Sequence, residues 1–120
     1  MLFLEDPQAA VARGAEVLAE IAGYGKSCSN SYFDMTQVEE KSAAMSMAIT
    51  RALADAGITS KEIDLVCGTS NGSEVNSLIE MNAIYTSFNC HNPRVPVVNY
   101  NAFFGFVASF CGSFKPVSYS

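Results

Sequence analysis

The sequence is poor in charged residues and in long apolar runs, and each shortage excludes a class of protein. Only 16% of the 120 residues are charged, whereas 49% are hydrophobic; an average soluble domain is about 25% charged. No apolar run approaches the roughly 20 residues that cross a bilayer, so we expect no membrane association. Seven Lys and Arg residues against 12 Asp and Glu give a net charge of −5. The basic residues are scattered, so nucleic acid is not an expected partner.

Histidine and paired cysteines are also scarce. The four cysteines form no CxxC pair, and the single histidine, His91, does not lie at ligand spacing from any of them. This pattern predicts reduced thiols, with no disulfide, metal site or cofactor. The first residues lack the basic region of a signal peptide. We therefore expect a cytoplasmic protein.

Hydrophobic periodicity predicts alternating strands and helices. Strands are expected over residues 1–5, 16–24, 63–67 and 95–98, and helices over 7–12, 38–56, 74–88 and 105–111. Gly57 is expected to end the second helix, which begins at Thr36 or Gln37. The third helix is expected to contribute four core residues: Leu78, Ile79, Ala83 and Phe88. Alternation of this kind predicts an α/β fold with helices packed on a sheet that contains parallel strand pairs.

Four segments follow one another in the order and spacing of a known set of motifs. They comprise residues 2–5 with 12–25, residues 51–58 with 63–64, residues 68–70 with 80–88, and residues 96–106 with Gly112. They resemble "VLE…A..RGA…AELVGFG", "ALxDAGI…ID", "HGTST…D..EA.AI…F" and "PVxSxKSxxGH" of the β-ketoacyl synthases, the thiolase-fold condensing enzymes. The resemblance implies a partial thiolase-like fold, most of the C-terminal βαβαβ half of a ketosynthase. It would form one domain over residues 1–120, incomplete at its C-terminal end.

The resemblance also shows that the family's catalytic residues are replaced. In the family an acyl group is carried on a Cys that has no counterpart here, and two His side chains stabilise the charge that develops during malonyl decarboxylation. Cys67 and Phe106 occupy the positions of those histidines, and Asn101 occupies that of the family Lys. The Asp of the third motif falls nearest Ser77. A phenyl ring has no N–H donor and a neutral thiol is a poor one.

Other positions of the motifs are retained: Gly68, Thr69, Glu80 and Gly105. Three aromatic residues of the last motif, Phe103, Phe104 and Phe106, are candidates for lining an acyl channel, although an ordinary core explains them as well. Cys67 ends an apolar strand without a basic neighbour in sequence, so we interpret it as a small buried residue rather than a nucleophile.

These substitutions predict a chain that does not catalyse condensation by itself. The leading hypothesis is a subunit or fragment similar to a chain-length factor, which would shape the acyl channel of a partner ketosynthase in fatty-acid or polyketide biosynthesis. One alternative is half of a split β-ketoacyl-[acyl-carrier-protein] synthase whose nucleophilic Cys lies on another chain. The other is a decayed, truncated product without function. The expected partners are a ketosynthase subunit or a chain that supplies the missing half, with an acyl carrier protein as a further candidate.

Overall fold

The structure, a computed structural model, describes residues 4–30, 37–89 and 95–101. Three α-helices lie in these ranges: α1 (Pro7–Ala12), α2 (Val38–Ala56) and α3 (Glu74–Ile84). Two short strands are β1 (Val66–Cys67) and β2 (Val97–Val98). A 3₁₀ turn (Ser60–Glu62) precedes β1, and a π-helical turn (Tyr85–Asn89) continues α3. The helix predicted over residues 105–111 lies outside the described residues.

The short helix α1 begins at a proline and a capping aspartate. Asp6 Oδ1 accepts hydrogen bonds from the backbone N–H groups of Gln8 at 2.8 Å and of Ala9 at 3.2 Å. A carboxylate at this position satisfies donors that have no partner inside the helix. The predicted helix over residues 7–12 is therefore confirmed, and Gly14 follows it with a φ of +74°.

The long helix α2 has the predicted bounds. Gly57 ends it in the left-handed conformation, with a φ of 69°. The Gly57 N–H donates to the Ala54 carbonyl at 3.2 Å, and the Ile58 N–H donates to the Leu53 carbonyl at 3.1 Å. This pair of bonds is the Schellman arrangement, which favours glycine because a side chain opposes a positive φ. The residue before the helix is Gln37, whose side chain makes no capping hydrogen bond.

The two strands form a parallel pair joined by α3. Val66 lies opposite Val97, and Cys67 lies opposite Val98. The Val66 N–H donates to the Pro96 carbonyl at 2.9 Å. Both strands are shorter than the segments 63–67 and 95–98 that the sequence predicts, because only two residues of each meet a partner. The unit β1–α3–β2 is the parallel crossover expected of an α/β fold.

The core lies between α2 and the helical segment that begins with α3. Ile79, Ala83 and Phe88 are buried, as predicted. The prediction for Leu78 is wrong, since half of its surface is exposed. Leu78 precedes Ile79 by one position, which turns its side chain about 100° around the helix axis. The buried stripe instead includes Glu80.

The strand predicted over residues 16–24 is also wrong. No regular element is present there, and apolar side chains on both alternating faces are exposed: Val17, Leu18, Ile21 and Tyr24. A strand needs a hydrogen-bonded partner, and none of the described residues pairs with this segment. Leu4 and Glu5 likewise lie outside any strand, whereas residues 1–3 are outside the described ranges.

Candidate functional site

The motif residues meet at the carboxyl ends of the two parallel strands. The loop after β1 carries Gly68, Thr69 and Ser70, and the loop after β2 carries Asn99 and Asn101. Parallel pairing places both loops at the same edge of the sheet, which is where α/β folds usually bind ligands. The Gly68 N–H donates to the Val98 carbonyl at 2.8 Å and extends the pairing into this site.

Glu80 of α3 is the centre of this site. Its Oε1 accepts hydrogen bonds from the Thr69 N–H at 2.5 Å and the Thr69 hydroxyl at 2.8 Å. Its Oε2 accepts hydrogen bonds from the Ser70 N–H at 3.0 Å and the Ser70 hydroxyl at 2.5 Å. Only 8% of Glu80 is exposed. A buried carboxylate is costly unless donors surround it, and these four supply that environment.

The same hydrogen bonds determine the pKa of Glu80. Burial alone would raise the pKa of this carboxyl, but the bonds from Ser70 and Thr69 together outweigh burial and hold the pKa below its ordinary value of 4.5. Donors to the charged form favour that form over the protonated one. Glu80 is therefore ionised at neutral pH.

Two asparagines hold the carbonyl side of the same dipeptide. Asn101 Nδ2 donates to the Thr69 carbonyl at 2.9 Å and to the Ser70 carbonyl at 3.2 Å. Asn99 Nδ2 donates to the Ser70 carbonyl at 3.1 Å. Asn99 Oδ1 accepts from the Asn101 N–H at 3.0 Å, which orients the two amides relative to each other. The loop after β1 is thus bound on both sides.

Gly68 allows the carboxylate to approach the loop closely. A Cβ atom at this position would lie 3.0 Å from Glu80 Oε2. That distance is tighter than ordinary van der Waals contact, so a side chain would press on the carboxylate. The retained Gly68, Thr69 and Glu80 of the motif therefore form one contact set.

Two of the residues singled out in the sequence, Cys67 and Asn101, lie beside this set. Cys67 ends β1, is partly buried, and has no hydrogen-bond partner for its thiol among the described residues. Asn101 donates to the carbonyls of Thr69 and Ser70, which follow Cys67 by two and three positions. The other predicted site residues, Phe103, Phe104, Gly105 and Phe106, lie outside the described residues, as does His91.

Two contacts of the site were missed by the sequence analysis. No role was predicted for Ser70 or Asn99, although the Ser70 hydroxyl donates to Glu80 Oε2 and Asn99 Nδ2 donates to the Ser70 carbonyl. One signal was available: Glu80 lies within the apolar stripe of α3 beside Ile79 and Ala83. An acidic residue on a core-facing stripe requires nearby donors, and the polar Thr69–Ser70 pair was the nearest group of donors in the motif.

Neither a metal site nor a membrane span is found in the part of the chain that the structure describes. Its His, Cys, Asp and Glu side chains form no group of three that could hold a metal ion. Within the same ranges, no helix is long and apolar enough to cross a membrane.

The sequence that forms this site matches a known protein family. The sequence model of the C-terminal domain of beta-ketoacyl synthase matches residues 18–106, about three quarters of the chain. The chain belongs to the β-ketoacyl synthase family. The matched range contains β1, α3, β2 and all of the residues that form the site around Glu80, so this site is part of a ketosynthase C-terminal domain.

Curated relatives agree with this assignment. The mitochondrial 3-oxoacyl-[acyl-carrier-protein] synthase of Arabidopsis thaliana is 33% identical over 91 residues, covering 76% of this chain and 19% of the relative. Nodulation protein E of Rhizobium sp. (strain N33) is 36% identical over 91 residues, covering 76% of this chain and 22% of the relative. This chain thus spans about a fifth of the length of these relatives.

Solved structures show the same partial fold. A type II polyketide-synthase acyl-carrier protein in complex with its ketosynthase gives a TM-score of 0.71 at 29% identity, over 84% of this chain and 24% of the matched chain. The ishigamide ketosynthase/chain length factor gives a TM-score of 0.68 at 29% identity, over 82% of this chain and 23% of the matched chain. The predicted fold class, a partial thiolase-like α/β fold from the C-terminal half of a ketosynthase, is confirmed.

Proposed function

We propose that this chain acts as a non-catalytic, chain-length-factor-like subunit or fragment in fatty-acid or polyketide biosynthesis, where it shapes the acyl channel of a partner ketosynthase. The observation that carries the proposal is the set of residues in the catalytic positions of the family: Cys67, Asn101 and Phe106. Phe106 has no N–H donor, the Cys67 thiol is a poor donor, and Asn101 carries no positive charge.

The contacts of Asn101 support this proposal. Its Nδ2 already donates to the Thr69 and Ser70 carbonyls. A neutral amide engaged in this way does not replace the lysine charge of the family. The N–H and hydroxyl donors of Thr69 and Ser70 all point to Glu80. Thr69 and Ser70 therefore offer no free donor to a developing enolate.

The size of the expected loss supports a non-catalytic role. Removing one donor aimed at a developing negative charge costs about 3 kcal/mol of transition-state stabilisation. Replacing both histidines then slows decarboxylation by roughly 10⁴-fold, because each 1.36 kcal/mol is a factor of ten in rate. A loss of that size leaves no useful turnover, so the chain would help to form the acyl channel and would not catalyse decarboxylation.

The proposed partner is a ketosynthase subunit, and an acyl carrier protein is the second. One structural relative is a ketosynthase/chain length factor, and another is a ketosynthase in complex with its carrier protein. The apolar side chains exposed between residues 17 and 24 are candidate contacts for the ketosynthase, because exposed apolar clusters mark interaction sites.

The test is co-expression with a type II ketosynthase, followed by affinity purification and mass spectrometry of the acyl products. We expect co-purification, and a shift in product length when Phe106→Ala enlarges the proposed channel. Tyr85→Ala is the matched control, because Tyr85 is an aromatic residue that is 66% exposed at the end of α3 and is not one of the candidate channel residues. Absence of co-purification would contradict the proposal. Malonyl-carrier decarboxylation that depends on Cys67 would instead favour the split-synthase alternative.

A further inference from the structure

The hydrogen-bond donors of the loop after β1 converge on one buried carboxylate. Thr69 and Ser70 together carry two backbone N–H groups and two hydroxyl groups, and all four donate to the Glu80 carboxylate. Four donors that converge on one carboxylate form a site suited to an anion, and we name these four donors the nest. In this chain the bound anion is a side chain of the protein itself.

We propose that the Glu80 carboxylate is a built-in anion that fills an anion-binding nest formed by Thr69 and Ser70, while Asn101 fixes the carbonyl side of the same dipeptide. The nest is therefore closed to external anions such as carboxylates. This inference goes beyond the proposed function, because it concerns how the loop after β1 is held and not which partner the chain binds.

The geometry argues for a specific site rather than for a general surface contact. The two carboxylate oxygens are divided between the two residues, with Oε1 bound by Thr69 and Oε2 by Ser70. Burial opposes ionisation of Glu80, and the opposing contributions all come from these two residues, without a cation. The nest alone holds the charge.

Asn101 binds the carbonyl groups of Thr69 and Ser70, on the side opposite the N–H groups that Glu80 binds, and we call this arrangement two-sided. It donates one amide group to both carbonyls of the dipeptide that Glu80 binds through its N–H groups. The Thr69–Ser70 peptide carries both the Thr69 carbonyl, which Asn101 binds, and the Ser70 N–H, which Glu80 binds, so rotation of this peptide plane would break bonds on both sides at once. Thr69 and Ser70 are therefore held in one conformation by the carboxylate and the amide together, and Asn101 is a positioning residue.

The proposal predicts chemical rescue. Glu80→Ala empties the nest, and free acetate supplies a carboxylate of the same chemistry. We expect the Thr69 and Ser70 amides to exchange with solvent about tenfold faster or more in the variant, since each charge-assisted bond that is lost contributes to protection. Acetate should restore slow exchange in a saturable manner, whereas chloride at equal ionic strength should not.

The measurement is amide hydrogen exchange by NMR on the whole chain, with an acetate titration of each protein. Glu74→Ala is the matched control, because Glu74 is an exposed residue of the same helix, and its Thr69 and Ser70 amides should stay protected. The proposal is overturned if these amides exchange equally in wild type and Glu80→Ala. It is also overturned if acetate slows their exchange as much in wild type as in the variant.

A second variant keeps the proposal testable should Glu80→Ala fail to fold. Asn101→Asp preserves shape and Glu80 but replaces the amide donor with an acceptor facing two carbonyls. We expect faster exchange at Thr69 and Ser70 than in Asn82→Asp, which adds the same charge on an exposed position of α3. Equal exchange in the two variants would contradict the two-sided arrangement. None of these readouts depends on a ketosynthase partner, so failure of the proposed function leaves them unaffected.

Discussion

Two irregular segments of this molecule are held in different ways. The loop after β1 has its polar groups bound by Glu80 on one side and by two asparagines on the other. The segment of residues 15–30 instead follows α2, with backbone groups bound by single side chains of that helix. Its apolar side chains, such as Leu18 and Ile21, remain about 70% exposed.

The difference shows which contacts this chain completes by itself. The backbone and hydroxyl groups of Thr69 and Ser70, in the loop after β1, are all bound by Glu80, Asn99 and Asn101. The segment beside α2 gains hydrogen bonds and close backbone packing, but its apolar side chains find no cover among the described residues. The polar groups of the site are thus bound by other residues of this chain. The exposed apolar side chains of the segment beside α2 are instead available to contact another surface.

The largest expected effect is at Gly25, where the backbone lies against α2. A Cβ at Gly25 would collide with the Ala48 carbonyl and approach the Ala52 nitrogen to 2.5 Å. Both obstacles are backbone atoms, so Gly25→Ala should lower the free energy of unfolding by about 3 kcal/mol. Gly14→Ala is the control: a Cβ there meets nothing within 4 Å, and only its φ of +74° opposes it. That change should cost about 1 kcal/mol. Urea unfolding measures both, and equal losses would contradict close packing on α2.

The next effect is the pH dependence of stability at Glu80. Its pKa is lower in the folded chain than its ordinary value of 4.5. The unfolded state therefore binds the proton more readily, and the stabilisation is fully present above pH 4.5 and lost as the pH falls through the folded pKa. Glu80→Gln should lose about 2 kcal/mol at pH 7. Its difference from wild type should shrink below pH 4.5 in thermal unfolding; a difference that does not change with pH would refute this origin of the stability.

A smaller effect is expected at Asn101. Asn101→Ala removes two hydrogen bonds to partly exposed carbonyls, which should cost about 1 kcal/mol of unfolding free energy. Asn82→Ala, on an exposed position of α3, is the control and should be nearly neutral. Chemical denaturation of the two variants measures the difference. Equal stability would show that the Asn101 contacts contribute nothing to the loop.

The smallest effect is expected at Asp55, on the segment beside α2. Asp55 Oδ2 accepts a hydrogen bond from the Tyr24 N–H at 2.9 Å in an exposed position. Asp55→Ala should cost about 0.5 kcal/mol, because solvent replaces an exposed hydrogen bond easily. Asp64→Ala, also exposed, is the control. A loss at Asp55 as large as at Glu80 would contradict the contrast between the two segments.

Local signals in the sequence were sufficient for α1 and α2. Pro7 after Asp6 determines the start of α1, and the apolar stripe with Gly57 determines the extent of α2, since both depend on residues within a few turns. The motif order was sufficient for the fold class because it carries the topology of a whole family.

Contacts between distant residues could not be predicted in the same way. Alternating apolar residues over 16–24 have the period of a strand, but a strand forms only where a partner is available. The role of Glu80 likewise depends on donors ten and eleven residues away, which α3 brings back to the loop. Periodicity predicts which side chains of an element share a face, but it does not predict which distant residues contact that face.

The central claim is that the replaced residues at positions 67, 101 and 106 leave this chain unable to decarboxylate a malonyl thioester. The most direct test is release of labelled carbon dioxide from malonyl-carrier protein by the purified chain, measured against buffer alone. We expect carbon dioxide to be released with the chain at the same rate as in buffer alone. Release above that rate, abolished by Cys67→Ala but not by Cys28→Ala, would contradict it.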